Sequence, residues 1–129
     1  MDYKKSRLFT LVFGFILLVY PLTSYSLPEG ENVVSGKATF DRSQVNTLNI
    51  NTPSDKLIVN YNSFSIAQPE AVHFYQPSSS SVALNRVVGT DPSTILGRLT
   101  ANGRIFLVNP NGILSVSYTH LTLPTNREV

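Results

Sequence analysis

Acid–base, metal or nucleophilic chemistry needs two or three polar side chains brought together, and this sequence offers few candidates. Between Leu27 and Leu114 the acids are Glu29, Glu31, Asp41, Asp55, Glu70 and Asp91, and the bases are Lys37, Arg42, Lys56, Arg86, Arg98 and Arg104. They occur mostly singly, and Glu70 and Asp91, candidates for a carboxylate pair, stand 21 residues apart. The one histidine of this stretch, His73, lies inside the apolar run Val72–Phe74, so it reads as a packed or rim residue rather than a base. There is no cysteine, no metal-ligand spacing and no glycine-rich phosphate loop. No catalytic, cofactor or metal site is expected. The six acids and six bases cancel, and the bases form no stripe, which removes nucleic acid and polybasic membrane binding from consideration.

Two short constellations are specific in another way. Asn109-Pro110-Asn111-Gly112 fixes one φ near −65° at the proline and permits positive φ at the glycine, with two side chains able to bond their own backbone. That is the chemistry of a tight turn, and of a contact for a partner if the turn is exposed. Asn85-Arg86 lies among Leu84, Val87 and Val88, where the arginine is expected to pair with a buried carboxylate or carbonyl.

The elements that position these residues read as strands. No window sustains i, i+3, i+4 apolar spacing, whereas period-2 stretches recur. Val34, Gly36, Ala38 and Phe40 alternate with polar residues, as do Leu48 and Ile50, then Leu57, Val59 and Tyr61. Phe64 with Ile66, Val72 with Phe74, Val82 with Leu84, and Ile105 with Leu107 follow. Turn signals separate them at Asn51–Asp55, Gln68–Glu70, Gln76–Ser81, Asp91–Ser93, Asn102-Gly103 and Asn109–Gly112. The pattern predicts an all-β fold, either a sandwich or a solenoid. Asparagines at the strand ends suit the repeated corners of a solenoid, and sandwich turns use them for the same reason.

Both ends differ from the middle. Lys4, Lys5 and Arg7 precede the apolar run Leu8–Tyr20, and small residues at Ser24 and Ser26 stand at −3 and −1 before Leu27. Thirteen apolar residues fall short of the roughly 20 needed to span a bilayer, so residues 1–26 are expected to be a signal peptide cut after Ser26. From Ser115 the regular punctuation stops, and Val116–Thr125 (VSYTHLTLPT) resembles a translated adapter from transposase-based sequencing libraries. Residues 115–129 are therefore expected to be a foreign tail, with 27–114 the native, partial domain.

The segment LPEGENVVSG after the leader, SFSI at Ser63–Ile66, VHFYQPS at Val72–Ser78, ALNRVVG at Ala83–Gly89, PSTILGRL and ANGRIFLVNPNGI occur in that order. Together they resemble the amino-terminal secretion domain of two-partner-secretion exoproteins, the filamentous haemagglutinin and haemolysin group of Gram-negative bacteria. The resemblance implies a right-handed parallel β-helix with amino-terminal capping strands, truncated after its first coils. It implies export by the Sec machinery, cleavage by signal peptidase, and periplasmic capture by the POTRA domains of a partner outer-membrane transporter of the TpsB type, delivering the protein to the cell surface or medium. Catalysis and cofactors form no part of that role. Asn109–Gly112 matches the family's NPNG motif. ALNRVVG occupies the stretch where some branches carry an NPNL-type tetrapeptide, which makes Asn85 and Arg86 a secondary family motif. The competing reading is an adhesin or glycan-binding β-helix acting on a host ligand, although the resemblance places that activity in a passenger beyond residue 114.

Overall fold

The computed structural model describes residues 26–115. Residues 1–25 of the expected signal peptide (1–26) and residues 116–129 of the expected foreign tail (115–129) lie outside the described residues, so those two expectations rest on sequence. The described chain forms ten short strands and no helix: β1 (Asn32–Ser35), β2 (Thr39–Asp41), β3 (Thr47–Asn51), β4 (Lys56–Tyr61), β5 (Ala71–Tyr75), β6 (Val82–Val87), β7 (Ser93–Ile95), β8 (Arg98–Ala101), β9 (Arg104–Val108) and β10 (Ile113–Ser115).

Strand order shows how the chain winds. β3, β5 and β8 pair in parallel on one face, β4, β6 and β9 on a second, and β7 and β10 on a third, where Ile66 bridges to Ile95 in the coil before. Three coils of a parallel β-helix result. Partners on adjacent coils lie 24 residues apart at Tyr61 and Asn85, 26 at Asn60 and Arg86, and 27 at His73 and Thr100. The amino-terminal end is closed differently: β1 pairs antiparallel with β4, β2 antiparallel with β3, and Glu29 with Ser63.

Alternation puts every second side chain inside. Leu48, Val72 and Leu99 stack in register, as do Ile50, Phe74 and Ala101, and Leu57, Ala83 and Ile105. In the first two coils these positions are sealed from water, while Leu99, Ala101, Ile105 and Leu107 of the third are only partly covered. A fully buried Val, Leu or Phe contributes about 1.5–3 kcal/mol, so the first two coils hold most of the apolar stabilisation.

Three local expectations are corrected. The alternation read through Val34–Phe40 is two strands, broken where Gly36 takes a φ of 87°; a bulge between Val33 and Ser35 turns Val33 inward and leaves Val34 half-exposed. On β6 the buried face is Ala83, Asn85 and Val87, not Val82 and Leu84, because parallel pairing with Leu57, Val59 and Tyr61 sets the register. Ser93 begins β7 rather than ending a turn, and its side chain is wholly buried.

Candidate recognition site

Asn109–Gly112 makes the corner from β9 to β10. The Gly112 N–H donates to the Asn109 carbonyl at 3.0 Å, closing the turn, and Gly112 has a φ of 111°, which only glycine adopts readily. Asn109 is almost fully buried, and its amide is spent inward. Nδ2 donates to the Asp91 carbonyl at 3.0 Å and to Ser93 Oγ at 2.9 Å, while Oδ1 accepts from the backbone N–H and Nδ2 of Asn111, both at 2.9 Å. Asn111 Nδ2 also reaches the Gly89 carbonyl at 2.9 Å. The motif thus ties the third coil's corner to the coil before it. What faces water is the Pro110 ring and the outer side of Asn111 and Gly112.

Asn85 and Arg86, adjacent in sequence, point opposite ways. Asn85 is 1% exposed in the coil interior; its Oδ1 accepts the Tyr61 hydroxyl at 3.0 Å and its Nδ2 donates to the Phe106 carbonyl at 3.2 Å. One amide therefore links all three coils. Burial holds the Tyr61 phenol well above its ordinary range, with the nearby Glu31 charge adding to the effect and Arg42 opposing it. Arg86 lies half-buried on the outer face, and its Nε donates to Asn60 Oδ1 at 3.0 Å. Its partner is an amide carbonyl rather than a carboxylate. The two motifs are separate: Asn85 sits inside, Arg86 on the β4–β6–β9 face, and Asn109–Gly112 at a corner.

His73 is half-buried on the outer face of β5, with Nδ1 2.6 Å from Thr100 Oγ1 on β8. It is a rim residue. Among the described residues no three His, Asp or Glu side chains are grouped to hold a metal. Ser24 lies outside the described residues; Ser26 and Leu27 lie inside them, both half-buried, and Leu27 packs against the core. Two roles escaped the sequence reading. Asn102 substitutes for a strand at its corner, accepting the Gln76 N–H at 2.7 Å and donating to the Gln76 carbonyl at 2.8 Å. Glu70 is 2% exposed. Asn102 was visible only as part of an Asn-Gly turn, and Glu70 only as an isolated acid after Gln-Pro, 21 residues from Asp91.

The sequence model described as the TPS secretion domain matches residues 24–117. The chain belongs to the TPS secretion domain family. Heme/hemopexin-binding protein from Haemophilus influenzae is 40% identical over 87 residues, 67% of this chain and 9% of that protein. The protein of the same name from strain ATCC 51907 / DSM 11121 / KW20 / Rd is 40% identical over 104 residues, 77% of this chain and 11% of its own length. The crystal structure of the HMW1 secretion domain from Haemophilus influenzae superposes with a TM-score of 0.65 at 39% identity, over 68% of this chain and 23% of that one. The chain thus spans about a tenth of the length of the two heme/hemopexin-binding proteins and 23% of the HMW1 secretion-domain chain. The TPS assignment makes this segment a secretion-targeting module of a secreted exoprotein, and the family is known for export rather than catalysis.

Proposed function

We propose that residues 27–114 act as a periplasmic address, bound by the POTRA domains of a partner outer-membrane transporter, after residues 1–26 have taken the chain through the Sec machinery and been removed by signal peptidase. The observation that carries this is the TPS match across residues 24–117. In this reading the rest of the exoprotein follows through the transporter, and any binding of host ligands belongs to that passenger, as does the heme/hemopexin binding for which the relatives are named. The domain itself works by recognition, without catalysis. Residues 115–129 are read as an adapter-derived tail.

An extended segment can pair with a free sheet edge through its backbone while alternate side chains give specificity. β8, β9 and β10 are edges of that kind. The NPNG corner holds the loop between β9 and β10 in shape, so its contribution to binding runs through the placement of those edges and through exposed Pro110.

Co-purification of the natural domain with periplasmic POTRA domains tests the reading. Capture by wild type, weakened by Asn109→Ala in protein that stays folded, is the expected result. A folded wild-type domain that ignores POTRA domains overturns it, and glycan binding by such a domain would favour the adhesin alternative.

A further inference from the structure

Glu70 is the most deeply buried acid in the described chain, and it is not used by either motif. Its carboxyl accepts the Ala67 N–H at 2.8 Å through Oε1 and the Ser26 N–H at 3.1 Å through Oε2; Ser26 N also lies 3.4 Å, and Ser26 Oγ 3.5 Å, from Oε1. Among the described residues the recorded ion pair is Arg42 with Glu31 at 2.8 Å, so no cation there is paired with Glu70. Removing a carboxylate from water without a countercharge is costly, and native proteins supply one.

The position supplies its own answer. Ser26 is the residue after which the leader is expected to be cut, and cleavage there creates an α-ammonium on Leu27, one residue from the donor already bonded to Glu70. That new terminus has little room to wander: Leu27 packs on the core, Pro28 is fully buried, and the Glu29 N–H donates to the Ser63 carbonyl at 3.0 Å.

We propose that Glu70 is the receptor for the amino terminus produced by leader removal: the Leu27 α-ammonium replaces the Ser26 N–H against the carboxylate and completes the cap as a buried ion pair. This rests on the cleavage site in the reading above. Before cleavage the carboxylate holds only neutral donors; afterwards it holds a full charge with three donors.

The test uses the natural domain exported through its own leader and purified from the periplasm. It is treated with succinimidyl acetate near neutral pH, and labelling at the α-amine and at exposed Lys37 and Lys56 is followed by mass spectrometry. A paired ammonium surrenders its proton less readily, and one unit of that effect slows acylation tenfold. The Leu27 amine, scaled to the two lysines, is expected to label at least about tenfold more slowly in wild type than in Glu70→Gln. Inserting Gly-Ser between Ser26 and Leu27, which moves the terminus but leaves Glu70 intact, should restore fast labelling in protein with an unchanged circular dichroism spectrum. That second variant decides the matter if Glu70→Gln does not fold. A wild-type Leu27 amine that labels as fast as the α-amine of either folded variant overturns the ion pair alone. A terminus other than Leu27, read in the same spectra, overturns the cleavage site and the ion pair with it. Neither outcome depends on POTRA binding.

Discussion

Asn85 occupies an interior row in which its neighbours above and below are Val59 and Leu107, and it is tolerated because both ends of its amide are satisfied. Phenylalanine at Tyr61 would leave Asn85 Oδ1 buried without a donor, which costs about 1–3 kcal/mol. Denaturant unfolding of Tyr61→Phe in the natural domain should therefore show an unfolding free energy lowered by that amount at neutral pH. The phenol adds a pH dependence whose sign is fixed. Its folded-state pKa lies above the ordinary value of 10.0, so its contribution is complete below about pH 10 and is lost as pH rises toward the folded value. The gap between wild type and Tyr61→Phe should narrow above about pH 10. Asn109→Ala strands Ser93 Oγ and leaves the Asp91 carbonyl only the longer 3.4 Å contact from Asn111 Nδ2, and a loss of about 1–3 kcal/mol is expected in a thermal melt of the natural domain. At this scale the turn chemistry of Asn109–Gly112 was legible from residue types, since proline and glycine constrain φ locally. The inward aim of Asn85 was not, because an amide in an apolar strand carries no sign of which face it takes.

Among the elements, strands with strong alternation declared themselves, as with Leu57, Val59 and Tyr61 on β4. On β6 both faces carry apolar residues, Val82 and Leu84 outside against Ala83 and Val87 inside, and only pairing with β4 chooses between them. β7 and β10 are three residues each, too short for any period to register. A substitution pair tests the β6 register. Ala83→Leu overfills the space between Leu57 and Ile105 and should cost about 1–3 kcal/mol, whereas Val82→Thr on the outer face should change stability by no more than about 0.5 kcal/mol. The reverse ranking in urea titrations would restore the register read from sequence.

For the whole molecule, burial of the inward face declines along the axis: Leu48, Ile50, Leu57, Val72, Phe74 and Ala83 of the first two coils are sealed, whereas Leu99, Ala101, Ile105 and Leu107 of the third are only partly covered. Solenoid coils gain their stability from neighbours, so protection should follow the same gradient. Amide hydrogen exchange is expected to be slowest in β3 to β6 and fastest in β8 to β10; uniform protection would contradict this. Residues 27–129 alone are expected to be partly disordered or prone to aggregate through the edges at Ile105–Leu114, and a cooperative thermal transition in monomeric material would count against that. The choice between sandwich and solenoid could not be made from periodicity, because alternation reports a buried face and is silent about which strand lies beside which.

The antiparallel closure by β1 and β2 makes the two ends of this molecule chemically unlike. One is a dead end, where the strands run the wrong way to template another parallel turn; the other is a live end. The first coil with its lid is thus a seed, and growth can only proceed away from it. Each added turn closes a loop of about two dozen residues onto a finished surface, at an entropy cost that does not rise with the length already built. A chain fed in amino terminus first could therefore wind up at constant expense per turn, however long it is.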